Sequence, residues 1–207
     1  MKLYLSSHKL GTETDILTNL KSNHKKVLIV PNASDVYPDN EIKRKGINEC
    51  IDELIQLGFE YEILDLKQWF NKEIELKKYL QNYNAYYVLG GNTFILRQAM
   101  RLSGFDNYLI ENVNNPDILY IGYSAGICVL SPDLHGIELV DSINKDPYNL
   151  GNIIWKGIGL IDFVPVPHYN SPNNPVSEKM NEVILYLKNN NVSYRSMSDG
   201  EVIYMEV

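Results

Sequence analysis

Short apolar runs alternate with longer segments whose apolar residues recur every three or four positions, and this alternation governs most of the chain. KLYLSS (2–7) reads as a strand and GTETDILTNLKSN (11–23) as a helix. KKVLIVPNAS (25–34) supplies a second strand, and NEIKRKGINECIDELIQLG (40–58) a helix stopped at Gly58. FEYEILDL (59–66) is a third strand, followed by helical NKEIELKKYLQNY (71–83). AYYVLGG (85–91) is apolar almost without interruption, the mark of a strand covered on both faces. Helices over 92–104 and 105–115 follow, and DILYIG (117–122) is a fifth strand.

That rhythm predicts an α/β fold, a three-layer sandwich with a mostly parallel central sheet and crossover connections of one hand. After Ser131 the rhythm breaks. Residues 131–152 are polar and rich in turn formers, which predicts an irregular excursion with one short strand. Order returns with GLIDFVPVPHYN (159–170), a helix over 175–189, and two terminal strands in NVSYRSMS (191–198) and EVIYMEV (201–207), read as a closing hairpin. No repeat or linker divides the chain, so residues 1–207 are read as a single domain, long enough to bury a substantial core.

Composition narrows the function classes. An apolar fraction of 44% with 22% charged residues is ordinary for a globular protein. A net charge of −7, with Lys and Arg scattered, argues against nucleic-acid or acidic-membrane binding. No segment has the length of a signal peptide's apolar region or a bilayer span, so a cytoplasmic location is expected. Cys50 and Cys128 show no metal-ligand spacing and are expected to be reduced, buried thiols.

The candidate chemistry starts at IGYSAGICVL (121–130), a G-x-S-x-G pattern between a strand and a helix. Glycines flanking Ser124 allow a sharp turn that lifts the hydroxyl outward, and the helix start offers free N–H groups to a developing oxyanion. The same five residues also suit an ordinary strand-to-helix turn. A nucleophilic serine needs a base. Of His8, His24, His135 and His168, the last ends an apolar run in VPVPHYN and so falls at a strand end, where the serine is also expected. For the acid partner, Asp162 is disfavoured by its distance along an extended strand, and Asp141 and Asp146 stay open in the excursion. Asp199, in SMSDGEV, reads from spacing alone as a turn residue.

LGGNTFILRQAM, YIGYSAGICVL, FVPVPHYN and SDGEVIYM together resemble the peptidase E (aspartyl dipeptidase) and cyanophycinase family of serine hydrolases. The resemblance spans most of the chain and implies a flavodoxin-like, class I glutamine-amidotransferase-like fold. It implies Ser124 as nucleophile, His168 as base and Asp199 as acid. It also implies an oxyanion hole from the Gly91 and Ala125 amides, with Gly90 and Asn92 shaping the loop. The expected activity is hydrolysis of a small peptide or related amide through an acyl-enzyme, without metal or organic cofactor. An esterase using the same serine and a binding protein without turnover are the rival readings. A homodimer is compatible with the resemblance. One departure concerns specificity: the aspartyl dipeptidases carry an arginine shortly after P-H-[FY], whereas HYNSPNNPVSEKM offers only Lys179, an imperfect substitute for a bidentate guanidinium.

Overall fold

A computed structural model describes residues 1–207, save the side chain of Ile42. Its centre is a six-stranded sheet in the order β3-β2-β4-β5-β1-β8. The parallel strands are β1 (Lys2–Ser6), β2 (Lys26–Val30), β3 (Glu60–Ile63), β4 (Ala85–Val88) and β5 (Leu119–Tyr123). The sixth, β8 (Val202–Glu206), runs antiparallel against β1, pairing Ser6 with Val202 and Lys2 with Glu206. Side chains alternate across the sheet, as the two-residue period of a strand requires. Leu3, Leu5, Leu28, Tyr86 and Tyr120 face one core, whereas Tyr4, Ile29, Tyr87 and Ile121 face the other. The continuous apolar run of β4 is buried at every position, as a central strand between two helical layers must be.

The layer beneath Tyr4, Ile29 and Tyr87 comprises α1 (Thr14–Leu20) and α2 (Glu41–Gln56). The opposite layer holds α3 (Glu73–Leu80), α4 (Thr93–Ser103), α5 (Phe105–Glu111), a single turn α6 (Ala125–Cys128) and α7 (Met180–Asn189). Local signals explain the ends. Asn92 caps α4 by accepting from the Ile95 amide at 3.0 Å, and Gly104 closes that helix in the left-handed conformation. Asn40 caps α2 in the same way through Lys43. Inside α2, Gly46 breaks the helical preference. A mid-helix glycine costs about 1 kcal/mol relative to alanine, yet a Cβ placed there would meet nothing within 4 Å.

Three expectations need correction. The terminal strands form no hairpin: β7 (Tyr194–Ser196) pairs in parallel with β6 (Val164–Val166) in a separate two-stranded sheet, while β8 joins β1. A strand's exposed edge is filled by whichever partner the tertiary packing brings, and adjacency in sequence does not decide it. The excursion 131–152 contains no paired strand, only an isolated bridge from Asp133 to Lys156 and a 3₁₀ turn at Ile137–Leu139. The helix expected over 175–189 begins only at Met180, because residues 175–179 form turns after Pro175.

The irregular region is nevertheless tied down. Arg97 on α4 donates from Nε to the Lys156 carbonyl at 2.8 Å and from Nη1 to Asp106 at 2.8 Å, and both members of that ion pair are buried. Breaking a buried pair leaves an uncompensated charge. Replacing Asp106 with alanine is therefore expected to lower unfolding stability by about 3–5 kcal/mol, read as a fall in the urea midpoint at unchanged slope.

Candidate active site

Ser124 follows β5 and precedes α6, and its backbone lies at φ 50° and ψ −117°, where a side chain is strained. The flanking glycines make the turn fit. A Cβ at Gly126 would lie 2.2 Å from the Val88 carbonyl oxygen, and one at Gly122 would lie 2.8 Å from that of Gly126. The Tyr120 hydroxyl holds the corner from below, donating to the Gly126 carbonyl at 2.6 Å.

His168 arrives just past β6, itself at φ 62°. The Ser7 hydroxyl, at the end of β1, accepts from the His168 amide at 2.8 Å and fixes the backbone there. The ring spans the gap between two distant segments: Nε2 is 2.9 Å from Ser124 Oγ, and Nδ1 is 2.6 Å from Asp199 Oδ1. With Nδ1–H donated to the carboxylate, Nε2 carries a lone pair directed at the serine proton. His168 is almost fully buried, so this ring is held rather than mobile.

Asp199 sits in the loop before β8, with its amide donating to Ser171 Oγ at 2.7 Å. Its carboxylate also accepts from Ser7 Oγ at 2.9 Å and from the Asn174 side-chain amide at 3.0 Å. Partial burial pushes the carboxyl upward, but hydrogen bonds from Asn174 and His168 outweigh it and hold the group below the usual aspartate value. It is thus an anion at neutral pH, suited to stabilise a neighbouring imidazolium.

Gly91 lies at φ 146°, and a Cβ there would stand 2.4 Å from the Ala33 carbonyl oxygen, so only glycine fits. Among the described residues neither the Gly91 nor the Ala125 amide donates to a protein acceptor. Gly90 packs against Tyr123 and Ser124, while Asn92 fastens the loop to the excursion through the Ser142 carbonyl at 2.9 Å. Both amides border a cleft of about 400 Å³ that also contains Ser124 and His168.

The remaining candidates fall elsewhere. His24 is buried between the Leu20 and Asp117 carbonyls, and His135 stacks on Trp155 beside Asp133. Asp146 binds the Leu150 and Gly151 amides of its own loop, and Asp162 is exposed without contact to His168. Cys50 and Cys128 are both free and buried. Burial pushes the Cys128 thiol up, which keeps it protonated beneath the serine. His8 lies edge-on to His168 with ring centroids 6.0 Å apart, and burial pushes its pKa down. The donor atoms of His8, His168 and Asp199 lie within 4.8 Å of one another, but a metal there would have to break the His168–Asp199 bond.

Asp141 lies against the start of α4. It does not touch His168; its carboxylate accepts from the Thr93 amide at 2.8 Å and borders the cleft. No cation pairs with it among the described residues, and burial pushes its pKa up to about 6. Ser7 and Asn174 carry no distinctive motif in the sequence. The only signals available were a serine at the end of the first strand and an asparagine in the turn after P-H-Y.

The model of peptidase family S51 matches residues 4–206. An uncharacterized peptidase of Listeria monocytogenes is 32% identical over 192 residues, covering 93% of this chain and 86% of that one. Another from Pasteurella multocida is 29% identical over 185 residues, covering 88% and 83%. Among solved structures, a Listeria monocytogenes protein provisionally named peptidase E superposes with a TM-score of 0.74 at 29% identity, covering 100% of this chain and 98% of that one. A peptidase from an acI-B1 Actinobacterium shares the fold at a TM-score of 0.70 and 16% identity, covering 99% and 83%.

The backbone at residue 124 gives a test independent of any substrate. Glycine relieves positive-φ strain, so Ser124→Gly is expected to raise unfolding stability by about 1–3 kcal/mol, measured by urea denaturation beside Ser124→Ala, which should gain less.

Proposed function

The chain belongs to peptidase family S51, and from that premise we propose that it is a serine peptidase cleaving small peptides with a free amino terminus, through Ser124, His168 and Asp199. The observation that carries this reading is the unbroken relay from Ser124 Oγ to His168 Nε2 at 2.9 Å and from Nδ1 to Asp199 at 2.6 Å. His168 takes the serine proton as Oγ attacks the peptide carbonyl. The tetrahedral oxyanion lies against the Gly91 and Ala125 amides. As the C–N bond breaks, His168 returns the proton to the departing amine, leaving an ester on Ser124. Water, deprotonated by the same ring, releases the acyl group. Each oxyanion donor is worth about 3–4 kcal/mol of transition-state stabilisation, which explains why Gly91 is held in a conformation no other residue adopts easily.

The cleft suggests which peptides fit. Its wall beyond Cys128 is built by Ile137, Val140, Val176 and Met180. No lysine or arginine lines it among the described residues, and the one carboxylate present is Asp141. An acidic side chain would be desolvated and repelled there. An apolar first residue suits it, with its α-ammonium paired to Asp141. The missing arginine after P-H-Y therefore fits a preference shifted from aspartate to apolar residues.

Ser124→Ala and His168→Ala should each lower kcat on an apolar dipeptide by about 10⁴ or more, and Asp199→Asn by about 10³–10⁴. Wild-type rates in either of the first two would overturn the assignment. Asp141 supplies a pH test. A peptide α-amine loses its proton near pH 8, and Asp141 gains one below about pH 6. KM for free-amine peptides is therefore expected to rise as pH falls through 6, and N-acetylated peptides should lack this dependence.

Asp141 also costs stability where it is ionised. Its folded pKa is raised, so the native state binds the proton more tightly and stability falls as pH rises from about 4 through about 6. Asp141→Asn should accordingly unfold at higher urea than the parent at pH 8, while at pH 4 the two should match.

A further inference from the structure

A second cavity of about 360 Å³ adjoins the catalytic cleft, on the α2 side of the sheet. Tyr37, Gly90 and Tyr123 line both spaces, so the two adjoin at Gly90. Pro38, Gly46, Ile47 and Leu89 complete its apolar walls. Lys43 also borders it, but its ammonium is held by Asp35 at 2.7 Å, and neither member of that pair is much exposed. Ser34 and Asn40 line it too, but Ser34 Oγ donates to the Pro31 carbonyl at 2.7 Å and Asn40 Oδ1 accepts from the Lys43 amide at 3.0 Å, so the lining is apolar in effect.

Gly46 connects this cavity to the sequence. It stands in the fourth position of no turn and at no bend; it lies inside a sixteen-residue helix, where glycine is the poorest choice short of proline. Packing does not demand it, because a Cβ would meet nothing within 4 Å. Its φ is not in the left-handed range that favours glycine. What the missing side chain does leave is open space at the wall of the cavity.

We infer that this cavity is a second substrate subsite, which takes an apolar side chain on the leaving-amine side of the scissile bond, and that Gly46 sets the size it accepts. The inference rests on the peptidase reading given above. The Ile137 and Val140 wall with Asp141 receives the acyl residue and its ammonium. The peptide bond then crosses Ser124, and the chain continues past Gly90 and Tyr123. Tyr123 lies edge-on to His8, which in turn lies edge-on to His168, whose Nε2 faces Ser124 and would protonate the departing amine. Apolar surface on both partners leaves water when the side chain enters, which favours large aliphatic or aromatic residues over glycine.

The test compares leucyl-phenylalanine with leucyl-glycine as substrates. The parent protein should favour the first by at least tenfold in kcat/KM. Gly46→Leu, and separately Ile47→Phe, should lower that ratio at least fivefold by filling the cavity. A ratio within twofold of the parent in both variants would overturn the subsite. A binding measurement separates this outcome from failure of the peptidase reading. In Ser124→Ala protein, phenylalaninamide should shift the NMR resonances of Ile47, Leu89 and Tyr123, and Gly46→Leu should abolish the shifts. No shift in the Ser124→Ala protein overturns the subsite. Shifts of that kind in a chain that hydrolyses neither dipeptide uphold the cavity as a binding site and overturn the peptidase reading alone.

Discussion

The imidazole of His168 is clamped between two segments that have no contact in sequence, and the architecture of the site follows from that clamp. Ser124 comes from the end of β5, Asp199 from the loop before β8, and Ser7 from the end of β1. β1 lies between β5 and β8 in the sheet, so a short side chain at its carboxyl end can reach both the histidine backbone and the aspartate. Ser7 does both, accepting from the His168 amide and donating to Asp199. A parallel sheet gathers strand ends on one rim, and the antiparallel β8 lets its preceding loop reach that same rim.

Electrostatics separates Asp199, which lies behind the His168 ring, from Asp141, which borders the cleft. Asp199 is surrounded by donors and is held ionised against the penalty of burial. Asp141 has one backbone donor and an apolar setting, and its pKa rises instead. The two carboxylates thus have opposite tendencies because their hydrogen-bond partners differ in number. The first is equipped to support a positive ring beside it. The second is a negative group awaiting a positive one.

Much of this was legible in the residues. The apolar runs within 2–7, 25–34 and 85–91 mark strands because they are too short for helices and rich in Val, Ile and Tyr, as strands covered on both faces are. G-Y-S-A-G marked the corner, since only glycines admit the approach of Val88 and Tyr120. The resemblance, rather than spacing, singled out Asp199; a carboxylate before a glycine looks like any turn until β8 is known to lie beside β1. The expected hairpin failed for the same reason, as pairing partners far apart in sequence leave no local mark. Asn174 and Ser7 act through contacts that close only in three dimensions, and nothing in a polar loop marks Asp141 as the neighbour of Thr93 rather than of a histidine.

Residue 124 is where the fold and the chemistry pull in opposite directions. The corner that presents the hydroxyl is one the backbone would rather give to a residue with no side chain at all. In a lineage released from any need for the Ser124 hydroxyl, drift would tend to replace residue 124 before the scaffold, because its backbone conformation favours glycine. Degenerate descendants of such a chain should be recognisable by an intact sheet, an intact histidine, and a missing oxygen at the corner.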